Sequence, residues 1–138
     1  MNSTYCFTDA SYNPQHKIAC IGYLVYRDLN HNSYDLTKEP IVYTEILEID
    51  GVANAEKLAT QKCMNSCRQI GIKDKLIIYT DHEGSLKKES EWRQLYGEIE
   101  LRLLKGHQKS ATKAEMDLIF TKIDRLTRKM LRQHIKSL

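Results

Sequence analysis

The sequence predicts a single mixed α/β domain: a sheet that begins as an antiparallel meander and continues through alternating helices and strands. Three observations predict it. Three strand-length apolar segments follow one another before residue 51, separated by polar, turn-prone stretches. At Val52 the apolar spacing changes from two to three and four. The later run Leu76-Ile77-Ile78-Tyr79 is too short for a helix and reads as a strand buried on both faces, hence central and partly parallel.

The first strand, around Tyr5-Cys6-Phe7-Thr8-Asp9-Ala10-Ser11, is rich in aromatic and apolar residues and gives way to Asn13-Pro14. Alternation places the carboxylate of Asp9 on the face of Tyr5 and Phe7, an expensive position unless something cationic meets it. Residues 18–26 (IACIGYLVY) form the second strand, with Gly22 as a bulge or a point of close approach. Residues 27–38 are a polar hairpin loop, and 41–49 (IVYTEILEI) form the third strand; Glu45 and Glu48 in it, and Asp50 just after it, read as solvent-face charges.

From Val52 the positions Ala55, Ala59, Cys63, Cys67 and Ile70 trace one face of an amphipathic helix, capped at its end by Gly71. Glu56 borders that apolar stripe, whereas a surface Glu sits more comfortably opposite it. The fourth strand ends in Thr80-Asp81, and a carboxylate just past the end of a buried strand is where α/β folds place chemistry. Residues 85–96 are expected to be partly helical with Trp92 as packing anchor, and 98–104 (EIELRLL) to form a fifth strand. A loop holding Gly106-His107 follows. Then comes a long helix whose apolar positions are Met116, Ile119, Ile123, Leu126 and Met130. Asp117 falls in its first turns, and Asp124 is placed to pair with Arg128 four residues on.

A chain of 138 residues can bury a real core, and 41% hydrophobic with 28% charged residues excludes a disordered chain. The net charge of +3, from 21 basic and 18 acidic residues, is too small to identify a partner, although basic residues concentrate in the last helix. No apolar run approaches the ~20 residues that cross a bilayer, and the N-terminus lacks signal-peptide character. The expectation is an intracellular protein, cytoplasmic or, in a eukaryote, nuclear, acting away from membranes and as a monomer. Cys63 and Cys67 stand at helical spacing without a tight Cys/His cluster in the sequence, so all four cysteines are expected to be reduced core thiols.

The order β-β-β-α-β-α-β-α carries Asp9 on the first strand, Glu56 on the first helix, Asp81 at the end of the fourth strand and Asp117 in the last helix. With Phe7-Thr8-Asp9-Ala10-Ser11, Asn54-Ala55-Glu56, Tyr79-Thr80-Asp81 with Ser85 beyond, Lys105-Gly106-His107 and Ala114-Glu115-Met116-Asp117, this resembles type 1 ribonuclease H and its retroviral relatives over essentially the whole chain. The resemblance implies a ribonuclease H-like fold: a five-stranded mixed sheet, its first three strands antiparallel, flanked by helices. It implies a metal-dependent endonuclease that hydrolyses the RNA strand of RNA–DNA hybrids, with two Mg²⁺ ions, or Mn²⁺ in their place, about 3.5–4 Å apart.

Hard divalent ions of this kind take oxygen ligands and keep several waters, which a few carboxylates satisfy. By resemblance Asp9 bridges the two ions, Glu56 and Asp81 complete one site, and Asp117, preferred to Glu115 by spacing, helps hold the other. His107 shuttles a proton or assists product release. Ser11, Asn13, Asn54 and Ser85 are the residues expected to bind substrate, with Lys17, Lys87 and Lys88 as further phosphate contacts. Two family features differ: an Asn pair before the helix Glu is replaced by Val52 and Ala53, and a basic helix has no room between Trp92 and Glu98. These departures leave two alternatives open: a nuclease of the same fold for branched DNA or double-stranded RNA, and a catalytically silent nucleic-acid-binding module.

Overall fold

A computed structural model describes residues 3–26, 39–104 and 111–138, with the side chains of 111–117 outside that description. Its elements run β1 (Ser3–Asn13), β2 (Ile18–Tyr26), β3 (Ile41–Glu48), α1 (Val52–Gln69), β4 (Lys75–Thr80), α2 (Glu83–Leu86), α3 (Glu89–Tyr96), β5 (Ile99–Leu103) and α4 (Ala111–Lys136). The strands form one five-stranded sheet in the order β3-β2-β1-β4-β5. β1, β2 and β3 pair antiparallel, while β4 lies parallel to both β1 and β5. This is the mixed sheet that the segment order predicts. The expected partial helix over 85–96 is two helices, and the loop with His107, like residues 27–38, lies outside the described residues.

Two faces of the sheet are covered by different helices, and the alternation of β1 divides its residues between them. Cys6 packs with Cys63, Met64, Cys67 and Trp92 on the α1 side. Phe7 packs with Ile119 and Ile123 of α4 on the other, stacking on Tyr79 at 4.9 Å between ring centroids. β2 is buried along its whole length, as a strand covered on both faces must be. Trp92 is the anchor its size suggests, 1% exposed beneath α3.

Gly22 has the close approach expected of it. A Cβ there would lie 2.9 Å from Ile123 Cδ1, 2.9 Å from Thr127 Cγ2 and 3.1 Å from the Tyr43 carbonyl oxygen, so glycine lets α4 lie directly on β2. Because Gly22 pairs with Asp9, the same close approach brings the middle of α4 to the residue that matters most on β1.

The other end of the sheet is tied together by Arg68. Its guanidinium donates to the carbonyls of Tyr96 (2.6 Å), Ile72 (2.9 Å), Asp74 (2.8 Å) and Glu98 (3.0 Å), closing the end of α1 onto the entrances of β4 and β5. Gly71, with φ of +90°, ends α1 as its left-handed cap, the Ile72 N–H returning to the Cys67 carbonyl at 3.0 Å. Arg68→Ala strands several carbonyls and is expected to destabilise the fold by about 2–4 kcal/mol, with activity per folded molecule unchanged. Thermal unfolding beside an active-site titration checks both halves.

Candidate active site

The parallel pairing of β1 with β4 ends at Phe7 opposite Tyr79, two residues before Asp9 and Asp81. The strands part there, and both carboxylates fall at the mouth of the gap. Glu56 arrives from α1 because Ala55 and Ala59 beside it pack on Ala10, Ala19 and Ile21, and the small alanines let the helix lie close. The carboxylate oxygens offered by Asp9, Glu56 and Asp81 all lie within 4.8 Å of one another. Asp9 is 2% and Glu56 6% exposed, whereas Asp81 is open to solvent.

A cleft of about 540 Å³ opens over the cluster, and its lining also includes Ser11, Asp124, Arg128 and Arg132. Burial, the neighbouring Asp81 and the nearby Asp124 carboxylate push Asp9 up to about 8, and burial with the charges of Asp9 and Asp81 pushes Glu56 up to about 9. Burial raises Asp81 as well, with Asp124 adding to it. Asp9 Oδ2 and Glu56 Oε2 are buried without a hydrogen-bond partner. Oxygen donors this crowded, desolvated and unpartnered are the donor set of a hard divalent cation, which would hold them ionised at neutral pH.

The sequence places the fourth carboxylate at Asp117, and the described residues bring a further one, Asp124, to the cleft. Asp124 lines this cleft, its charge bearing on Asp9, while keeping the expected partner, Arg128, at 3.1 Å. The Asp117 side chain, like Glu115 and His107, lies outside the described residues. Its backbone is seven residues, about 10 Å of helix, before Asp124. What could have singled out Asp124 is its neighbours: Ile123 and Thr127 flank it, and these are the side chains that close on Gly22.

The expected substrate contacts fare unequally. Ser11 lines the cleft, its hydroxyl 3.1 Å from Thr127 Oγ1. Asn13 caps a turn, its Oδ1 accepting the His16 N–H at 2.9 Å. Asn54 is exposed, its side chain donating to the Asp50 carbonyl at 2.7 Å. Ser85 is fully buried and cannot touch a substrate: its hydroxyl holds His82 Nδ1 at 2.8 Å. That is a correction with a plain cause, since the short α2, which packs against β5 and α1, turns Ser85 inward.

Cys6 of β1 joins Cys63 and Cys67, the three sulfurs lying within 4.8 Å of one another, a cluster that linear spacing does not reveal. All three are buried. Burial pushes the Cys63 thiol well up; on Cys6 the lowering bond to Cys63 is outweighed by Cys67 and burial. Thiols held protonated are poor ligands and nucleophiles, consistent with packing.

Gly22→Ala tests how the site is assembled. The added methyl must push α4 away, which is expected to destabilise the protein by about 1–3 kcal/mol and to weaken divalent-cation binding as Asp124 withdraws. Thermal unfolding and a metal-binding isotherm on the variant measure the two effects.

The five-stranded mixed sheet with its covering helices has counterparts among solved structures. This is the ribonuclease H fold. The chain superposes on the N-terminal ribonuclease H domain of a Mycobacterium tuberculosis protein, solved as a fusion with maltose-binding protein, with a TM-score of 0.66 and 13% identity over 99% of each chain. It also superposes on ribonuclease H1 of the halophilic archaeon Halobacterium salinarum, with a TM-score of 0.55 and 11% identity over 73% of this chain and 86% of that one. No protein-family model and no curated protein matches the sequence. Among the described residues no helix is long and apolar enough to cross a membrane.

Proposed function

We propose that this ribonuclease H-fold chain is a divalent-metal-dependent endonuclease that hydrolyses the RNA strand of RNA–DNA hybrids. The observation that carries the reading is the pair of buried, unpartnered oxygens on Asp9 and Glu56 inside a cleft that Asp81 and Asp124 also line. A packing or binding role gains nothing from carboxylates facing an anionic polymer, whereas metal-assisted phosphoryl transfer needs them.

Asp9, Glu56 and Asp81 would hold Mg²⁺ or Mn²⁺, with Asp124 serving a second ion beside Asp9. Bound there, the ions supply a water activated for attack and charge neutralisation at the phosphate and the leaving oxygen. The chain's own residues set the geometry. β1 carries Asp9 within its length and β4 presents Asp81 just past its last residue, so the fold sets the spacing of these ligands. Arg128 holds the Asp124 carboxylate and, with Arg132, brings positive charge into the cleft to meet a phosphate. His107, from its place after Gly106, would serve proton transfer or product departure. Ser11, on the cleft wall, is placed to meet the substrate backbone.

Hybrid selectivity draws support from the ribonuclease H fold and from the shape-based way such duplexes are read. Val52, 52% exposed at the first turn of α1, is an apolar residue there, and favours the second reading, a nuclease of this fold for another duplex. One comparison decides between them. Labelled RNA–DNA, RNA–RNA and DNA–DNA duplexes are incubated with the protein in Mg²⁺ and in EDTA, wild type beside Asp9→Asn. Metal-dependent cutting confined to the RNA of the hybrid, and lost in the variant, supports the first reading. Preferential cutting of another duplex supports the second, and metal-independent binding without cutting of any duplex overturns both.

A further inference from the structure

The two helices that bring carboxylates toward Asp9 are each fastened to β1 by the same short chain of atoms. On the α1 side, the Thr60 hydroxyl donates to the carbonyl of Glu56, one turn back, at 3.2 Å and lies 3.1 Å from the Thr8 hydroxyl. On the α4 side, the Thr127 hydroxyl donates to the carbonyl of Asp124 at 3.1 Å and lies 3.1 Å from the Ser11 hydroxyl. One proton on each hydroxyl satisfies every contact in both chains. Thr8, Thr60 and Thr127 are fully buried. Thr8 and Ser11 flank Asp9 in β1 at positions of opposite parity, so alternation turns one toward each helix.

A threonine inside a helix commonly returns its hydroxyl to a carbonyl of the preceding turn, and that bond alone fixes nothing outside the helix. The contact with β1 does. Near Thr60, α1 rests on Ala10, Ala19 and Ile21 through Ala55 and Ala59, and Thr127 itself closes on Gly22. Apolar contact of this kind is non-directional and sets the position of a helix along a strand only weakly. A hydrogen bond with its heavy atoms about 3 Å apart is directional and sets it. Metal ligands work only when held within about 0.5 Å of their productive positions. The register of each helix on β1 therefore decides whether its carboxylate meets that of Asp9.

We propose that Thr8–Thr60 and Ser11–Thr127 are latches that set Glu56 and Asp124 against Asp9, which makes Thr8, Thr60 and Thr127 positioning residues of the metal site. This rests on the nuclease reading and adds to it how the site is held in register. None of the three threonines lines the carboxylate cleft, so each acts through the backbone of a carboxylate residue or through its partner hydroxyl. Ser11 does line the cleft, so the α4 latch is tested from Thr127.

The test is calorimetric titration of the whole chain with Mn²⁺ and with Mg²⁺, at a temperature where every variant is folded, beside thermal unfolding and hybrid cleavage. Thr60→Val exchanges the hydroxyl for a methyl of similar size and is expected to weaken Mn²⁺ binding about 10–100-fold, as the loss of an outer partner of a metal ligand does. Thr127→Val keeps the methyl that meets Gly22 and should weaken it to a similar degree. Thr60→Ser and Thr127→Ser keep the hydroxyl and should bind as wild type does. Thr8→Val should match Thr60→Val, and the two together should cost no more than either alone, since they remove one shared contact. Thr8→Val also tests the α1 latch from the strand if Thr60→Val does not fold. Latches with a merely structural role predict lower melting temperatures in the valine variants and unchanged Mn²⁺ affinity. That result, or serine variants as weak as the valine ones, overturns the latches and leaves the nuclease reading standing. Wild type that binds neither ion and cuts no duplex overturns both.

Discussion

Asp9→Asn is expected to abolish cleavage and, at the same time, to stabilise the metal-free protein at pH 8. The activity loss should reach about 10³-fold or more, the order seen when one preorganised electrostatic group is removed from a reacting site. The gain in stability follows from the same burial. Asp9 and Glu56 are raised in the folded chain to about 8 and about 9, while in the unfolded chain both ionise near pH 4. Between those limits the folded state holds protons that the unfolded state has released, so the contribution of these two groups to metal-free stability is fully present below about pH 4 and is lost as pH rises through their native values. An amide at position 9 carries no charge to desolvate and relieves Glu56 of its nearest repulsion. A gain of about 2 kcal/mol, or roughly 4–8 °C in melting temperature, is expected at pH 8, shrinking toward pH 5. Mg²⁺ should stabilise wild type at pH 8, less at pH 5 where protons compete, and the variant little at either. Calorimetric melts of both proteins, with and without Mg²⁺ at the two pH values, measure every part. A variant less stable than wild type in metal-free buffer at pH 8 would mean that Asp9 serves packing.

Local pattern carried the fold a long way. The bounds of β2 and the start of α1 at Val52 are where periodicity puts them, because alternation and three-and-four spacing follow directly from which face is buried. The sites of Asp9, Glu56 and Asp81 were legible for the same reason, each a carboxylate where its element wants an apolar or capping residue. What pattern alone could not supply was distance between elements. The Cys6 sulfur meets Cys63 and Cys67 only because β1 lies under α1. Ser85 was expected to contact substrate, but the turn of α2 buries it, its hydroxyl against His82. Motif spacing after Gly106-His107 favoured Asp117, whereas the part of α4 that touches Asp9 is set by a packing contact at Gly22, which no linear motif encodes.

That difference makes the last helix the sharpest place to test how the site is built. Asp124→Asn is expected to lower cleavage by about 10²–10³-fold, because it removes a charge that bears directly on Asp9 and Asp81 and unseats Arg128 from the cleft. Asp117→Asn, with its backbone about 10 Å further along the helix, should cost less than about tenfold. The two variants also separate by metal affinity. Asp124→Asn should need markedly more Mg²⁺ for half-maximal rate, and Asp117→Asn should follow the wild-type titration. Rate measured against Mg²⁺ concentration for both proteins is the deciding experiment. The reverse ranking would place the functional carboxylate in the first turns of α4 and would require the helix to bring that end to Asp9 when metal and substrate bind. The predicted ranking instead leaves the site assembled before either arrives, on two strands, one buried helix and the turn of α4 that Gly22 admits.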